Sequence, residues 1–192
     1  MCTFVTQNKG TMKGINTTAD YINFDTALNT AKKLKGTKNE ILGLFIIVGI
    51  YTGLRVSDIL NLEWSSFDSD TLIVIEGKTT KRREITLNAE VLSYVRSIRS
   101  FREGKCFISQ KNSVFTIQQL NRKLKVVFAK EKGNISCHSL RKTFGRHIYN
   151  MNNQTENSLV LLSSILNHSS VGLTRIYLGI KQEEISNIYL SM

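Results

Sequence analysis

Proline is missing altogether from the 192 residues, so the strongest punctuation mark of a polypeptide cannot be used to place boundaries. Cysteine is nearly missing. Cys2, Cys106 and Cys137 are an odd number with no CxxC spacing, which suggests neither a disulfide framework nor a zinc site and fits a reducing, cytoplasmic setting. Long apolar runs are absent: the most apolar stretch, 41–51 (ILGLFIIVGIY), has 11 residues against the roughly 20 that span a bilayer. It also starts too late, and without the flanks, to be a secretory signal. No membrane role is expected. Acidic residues are scarce: 15 Asp and Glu against 26 Lys and Arg give a formal net charge of +11. Such a surface suits a polyanion, although charge alone does not separate nucleic acid from other partners. The Asp68-Ser69-Asp70 turn has no histidine or carboxylate partner at ligand spacing, so it is not expected to hold a metal.

What is present is ordinary globular patterning, with 41% hydrophobic and 21% charged residues. Residues 1–20 are polar, rich in Gly and Thr, and without a clear period, and read as a linker or arm. Helical spacing predicts short helices over 27–34 and 56–62 and a buried helix over 41–51 that Asn39 can cap. Two β-branched runs, 71–75 (TLIVI) and 83–87 (REITL), joined by the basic loop 77–81, predict a hairpin. Helices are then expected from Asn88 to Ser100 and over 117–130, 139–151, 158–166, 171–178 and 183–190. The expected class is α+β, mostly α-helical with a small antiparallel β-sheet. One domain over 21–180 and a tail helix within 181–192 complete the expected organisation.

Three clusters carry chemistry. In His138-Ser139-Leu140-Arg141, positions i and i+3 share a helix face, so imidazole and guanidinium can approach one anion; an isolated HxxR is more often a solvated helix start. In Thr52-Gly53-Leu54-Arg55, Gly53 allows a tight turn after the buried helix that points Arg55 to a cleft, and Asp58 at i+3 can hold the guanidinium from behind. A surface Arg–Asp pair of little worth is the plainer alternative. His168 ends one helix and Tyr177, nine positions on (177 − 168 = 9), lies on the next. Singly, each is more often a structural residue. Arg122, Lys123 and Lys125 form a basic run on the helix from Ile117 that either lies along DNA or is a solvated face. Lys142 and Arg175 are further weak candidates for DNA contact. His147 is given no role.

Taken in order, TGLRVSDIL, a GK-bearing hairpin, HSLR, LNHSS and TRIY resemble the tyrosine recombinase (phage integrase) family from about residue 38 to 180. The resemblance implies a catalytic-domain fold that cleaves and rejoins double-stranded DNA through a 3′-phosphotyrosine, without metal or high-energy cofactor. It implies Tyr177 as nucleophile, Arg55 and Arg141 as the grip on the scissile phosphate, and Lys78 as the acid for the departing 5′-oxygen. His138 matches the acid/base histidine, His168 the one that donates to the phosphate, and Asp58 the supporting acid. Lys81 shares the loop with Lys78; Lys78 is preferred because it directly follows the strand and Gly77. This sequence departs from the family at Cys137, Lys142 and Asn167, where Pro, His and Gly are common. Only 37 residues precede residue 38, too few for the usual core-binding domain. The chain then is either a catalytic fragment or akin to single-domain invertases. Family tails dock on a neighbouring protomer, which implies a homo-oligomer, a tetramer, on DNA; packing of the tail within its own chain is the alternative. A type IB topoisomerase-like enzyme and a non-catalytic DNA-binding regulator are the competing functions.

Overall fold

Helix α2 (Glu40–Thr52) organises the chain because it is apolar on every face, and all nine residues from Leu42 to Ile50 are buried. A helix without a polar face must be surrounded. Helices α1 (Phe24–Leu34), α3 (Val56–Leu60), α4 (Ala89–Arg99) and α6 (Cys137–Met151) pack around it. The approach of α6 is close: a Cβ at Gly49 would stand 2.9 Å from the Leu140 Cβ. The remaining helices are α5 (Ile117–Val127), α7 (Glu156–Ile165) and α8 (Val171–Leu178), with a 3-10 turn at Trp64–Phe67. The computed structural model describes residues 19–78, 80–180 and 189–192. Within them the protein is mostly α-helical with one small antiparallel sheet, the α+β class read from the sequence.

That sheet is a hairpin of β1 (Thr71–Ile75) and β2 (Arg82–Thr86), with Thr71 opposite Thr86 and Ile75 opposite Arg82. Leu72 and Val74 point into the core while Ile73 and Ile75 face out, the period-2 alternation of a half-buried strand. The second strand begins one residue earlier than expected. Leu87 falls just outside the strand, although its N–H still bonds the Asp70 carbonyl at 2.7 Å, the next pair in the same register.

Most other differences are at helix starts, where caps decide. Asn23 accepts from the Thr26 N–H and starts α1 at Phe24 rather than residue 27. Ser136 accepts from the His138 N–H and starts α6 at Cys137 rather than 139. Thr155 caps the Ser158 N–H and starts α7 two residues early. Helix α5 stops at Val127, short of residue 130.

Two hydrophobic cores form. The larger joins α1 to α5, the hairpin and the start of α6; the smaller holds Phe144, Tyr149, Leu159, Leu162, Leu166, Leu178 and Ile180 between α6, α7 and α8. Residues 19 and 20, read as the end of the arm, already pack. Ala19 is buried, and Asp20 exchanges bonds with Asn134 at 3.1 and 2.8 Å. The rest of the arm and residues 181–188 of the tail helix lie outside the described residues.

Candidate active site

One cavity of about 540 Å³ opens where the two cores meet, and it is lined by Arg55, Lys78, His138, Arg141, His168 and Tyr177 together. Residues spread over 123 positions (177 − 55 = 122 steps) converge there. Four elements deliver them. Gly53, at φ +60°, ends α2 in the left-handed conformation and turns the chain so that Arg55 caps α3 at the cavity wall. The hairpin brings Lys78, the first two turns of α6 bring His138 and Arg141, and the α7–α8 turn with α8 brings His168 and Tyr177.

Arg141 is buried and held by backbone alone: Nη1 donates to the Gly53 carbonyl and Nη2 to the Leu166 carbonyl at 2.7 Å. Arg55 is held by a carboxylate that the sequence reading did not single out. Its Nη1 lies 2.6 Å from Oε2 of Glu76 and 4.0 Å from Oδ2 of Asp58. Asp58, besides that contact with Arg55, accepts from the Gly77 N–H at 3.1 Å and so ties the hairpin to α3. Glu76 is fully buried and also pairs with Arg83 at 3.1 Å. A buried carboxylate between two guanidinium groups is satisfied only as a set, since removing a partner strands a charge.

His168 is oriented by Thr174, whose buried hydroxyl lies 2.9 Å from Nδ1. The pKa of His168 lies below the usual histidine value because of burial and then the charges of Arg141 and Arg55. His138 is lowered likewise, by burial first and then by Arg141 and Lys142. Tyr177 sits edge-on to the His168 ring, with centroids 5.1 Å apart at 70°. Its hydroxyl oxygen is sealed from solvent, with only the Arg141 guanidinium as a hydrogen-bond partner and that in poor geometry. Burial pushes that phenol up to about 12, with the Arg141 and Arg55 charges pulling the other way. A buried polar atom without a well-formed hydrogen bond costs about 1–3 kcal/mol and calls for an explanation.

The wider basic candidates go elsewhere. Arg122 and Lys123 line a separate cavity of about 620 Å³ beside residues 37–42, with Lys123 donating to Asn39 at 3.2 Å. Lys125 borders a third, smaller cavity. Arg175 pairs with Glu156. Lys142 faces inward, its Nζ 5.3 Å from the centre of the Tyr177 ring. His147 stacks on Phe24 at 3.6 Å, a packing role. Among the described residues no group of three or more His, Cys, Asp or Glu side chains could hold a metal ion.

Residues 20–184 match the model of the phage integrase family. The chain belongs to that family. This integrase-family chain is 31% identical over 157 residues to a probable integrase/recombinase, YoeC, of Bacillus subtilis, covering 79% of this chain and 84% of the relative. Its fold matches the crystal structure of XerA recombinase with a TM-score of 0.68 and 22% identity, covering 89% of this chain and 64% of that one. It likewise matches XerH site-specific recombinase bound to a palindromic difH substrate in a post-cleavage complex, with a TM-score of 0.65 and 21% identity, over 91% of this chain and 53% of that one. The integrase-family chain thus spans between half and two-thirds of these two longer recombinase chains. Tyrosine recombinases of this family are DNA strand-cleaving and rejoining enzymes.

Four residues at the site were given no role in the sequence reading: Glu76, Arg83, Asn167 and Thr174. For Glu76 a signal existed. Leu72, Val74 and Glu76 are every second residue, so the strand's alternation carries Glu76 to the buried side.

Proposed function

We propose that this chain is a site-specific DNA recombinase that cuts and rejoins duplex DNA through Tyr177. The observation that carries the reading is the Tyr177 hydroxyl, sealed from solvent and beside the Arg141 guanidinium, in a cavity that it shares with two arginines and two histidines. Phosphoryl transfer asks a protein mainly for positioning and for charge where the pentacoordinate phosphorus develops it. The planar forks of Arg55 and Arg141 suit two non-bridging oxygens.

In this reaction the Tyr177 oxygen bonds to the scissile phosphorus as the bond from phosphorus to the 5′-oxygen breaks. The phenol proton passes to His138, which is neutral near pH 7 because its pKa is lowered. The proton for the departing 5′-oxygen comes from Lys78, and His168 donates a hydrogen bond to the phosphate. The contact between Nδ1 of His168 and the Thr174 hydroxyl at 2.9 Å fixes the ring and leaves Nε2 as the nitrogen for that bond. The product is a 3′-phosphotyrosine and a free 5′-hydroxyl. Because the covalent link keeps the phosphodiester energy, a different 5′-hydroxyl can reverse the step without ATP. The net charge of +11 supplies non-specific attraction to the duplex.

A nicked suicide duplex that sheds its 5′-hydroxyl fragment tests the nucleophile. The wild type should accumulate a protein–DNA adduct that survives denaturing electrophoresis. Tyr177→Phe should form none while still shifting the duplex in a native gel. An adduct from the Phe variant removes Tyr177 from the role. Recombination between two copies of a site from the DNA flanking the coding region separates a recombinase from a topoisomerase-like enzyme, which only relaxes supercoils. Inverted repeats in that flanking DNA mark an invertase and mobile-element genes an integrase.

A further inference from the structure

We propose that Asn167, Lys81 and Glu76 form a latch that docks the β1–β2 hairpin on the α7–α8 turn and so sets where Lys78 stands, with Asn167 the positioning residue. The inference rests on Lys78 acting as the acid of the proposed reaction. A two-stranded hairpin is marginal by itself, so a lysine at its tip is placed only if something outside the hairpin fixes the loop. The structure supplies ties at both ends of that loop. The Glu76 N–H donates to the Lys81 carbonyl at 3.0 Å and the Thr80 N–H to the Glu76 carbonyl at 2.8 Å, closing the loop that carries Lys78. At one end the Gly77 N–H is held by Asp58. At the other, Lys81 Nζ donates to Asn167 Oδ1 at 3.0 Å, across 86 residues of sequence. Asn167 Nδ2 in turn donates to Glu76 Oε2 at 3.4 Å, the same oxygen that holds Arg55.

The side chain of Asn167 makes contacts that the turn itself does not require. Its φ is +50°, a left-handed conformation that glycine adopts more easily. Asparagine tolerates it and adds a carboxamide, one end of which takes the lysine and the other the buried carboxylate. His168 follows directly, so one residue fixes the hairpin and the start of the phosphate-facing turn. The two lysines of the loop then have separate work: Lys81 is engaged by Asn167, whereas Lys78 lines the cavity.

Two suicide duplexes decide the matter, one with the natural 5′-oxygen and one with sulfur bridging phosphorus and the 5′-carbon. A thiolate leaves without being protonated, its parent thiol ionising near 8.5, so sulfur bypasses the acid. Lys78→Ala should lose about 10²- to 10⁴-fold in single-turnover cleavage on oxygen and recover on sulfur. Asn167→Gly, which relaxes the backbone, should keep its thermal stability, lose about 10- to 100-fold on oxygen, and recover on sulfur. Lys81→Met, a change at an exposed position, should behave the same way, and the double variant should be no slower than the slower single one, as residues acting as a unit are. Equal losses on both duplexes, no loss on oxygen, or additive losses in the double variant would each overturn the latch. If Lys78→Ala itself loses nothing on oxygen, or is not restored by sulfur, the acid assignment fails instead and the latch falls with it.

Discussion

The Tyr177 phenol illustrates how one group can be costly to the fold and useful to the chemistry. Its ionisation is pushed up to about 12 by burial, from an ordinary 10, so the folded state holds the neutral phenol more firmly than the unfolded chain does. The linkage follows in sign. Stability from this preference is fully present below pH 10 and is lost as pH climbs towards 12, by on the order of 2 kcal/mol for this mostly buried group. Tyr94 shifts in the same direction, so the comparison must isolate one phenol. We therefore expect the unfolding free energy of Tyr177→Phe, measured by denaturant titration, to fall less between pH 10 and 12 than that of the wild type. Equal alkaline losses in both proteins would show that the hydroxyl is not desolvated. The same burial keeps the phenol protonated at neutral pH, which is why the proposed reaction needs a base at hand.

At the scale of elements, the turn after α2 sets the geometry of the whole grip. Gly53 is at φ +60°, and a Cβ there would come within 2.4 Å of the Phe144 ring. Strain in the left-handed region and overpacking each cost about 1–3 kcal/mol. Gly53→Ala should lower the unfolding free energy by about 2–4 kcal/mol in urea titrations; a change under 0.5 kcal/mol would show that Phe144 moves aside freely. Helix α2 was legible in the sequence because an unbroken apolar run between Asn39 and Gly53 has few other readings. The hairpin was legible from its β-branched runs. The six cavity residues were legible through spaced motifs, not through any one of them. Glu76 was not, because after TLIVI it reads as the first polar residue beyond a strand, and Asp58 offered a nearer partner in sequence. The surroundings of the basic run of α5 were hidden for a related reason. Leu120 and Leu124 fix which stripe of α5 is buried, and the neighbours that the remaining faces meet come from residues 37–42, far away in sequence.

For the whole molecule, the open question of assembly is one that the tail can answer. Residues 181–192 follow the nucleophile, and the resemblance implies that such a segment docks on a neighbouring copy. Truncation after Ile180, which keeps that buried residue of the smaller core, should leave adduct formation on the suicide duplex close to wild type and abolish exchange between two sites. Loss of the adduct as well would place the tail against its own domain. The arrangement of the two cores carries a consequence of its own. Arg141 reaches from α6 to the last turn of one core through Gly53 and to the last turn of the other through Leu166. Neither half of the chain can assemble this guanidinium clamp alone. A nascent or partly melted molecule therefore lacks the clamp on which the proposed cleavage depends, until both halves have folded and met.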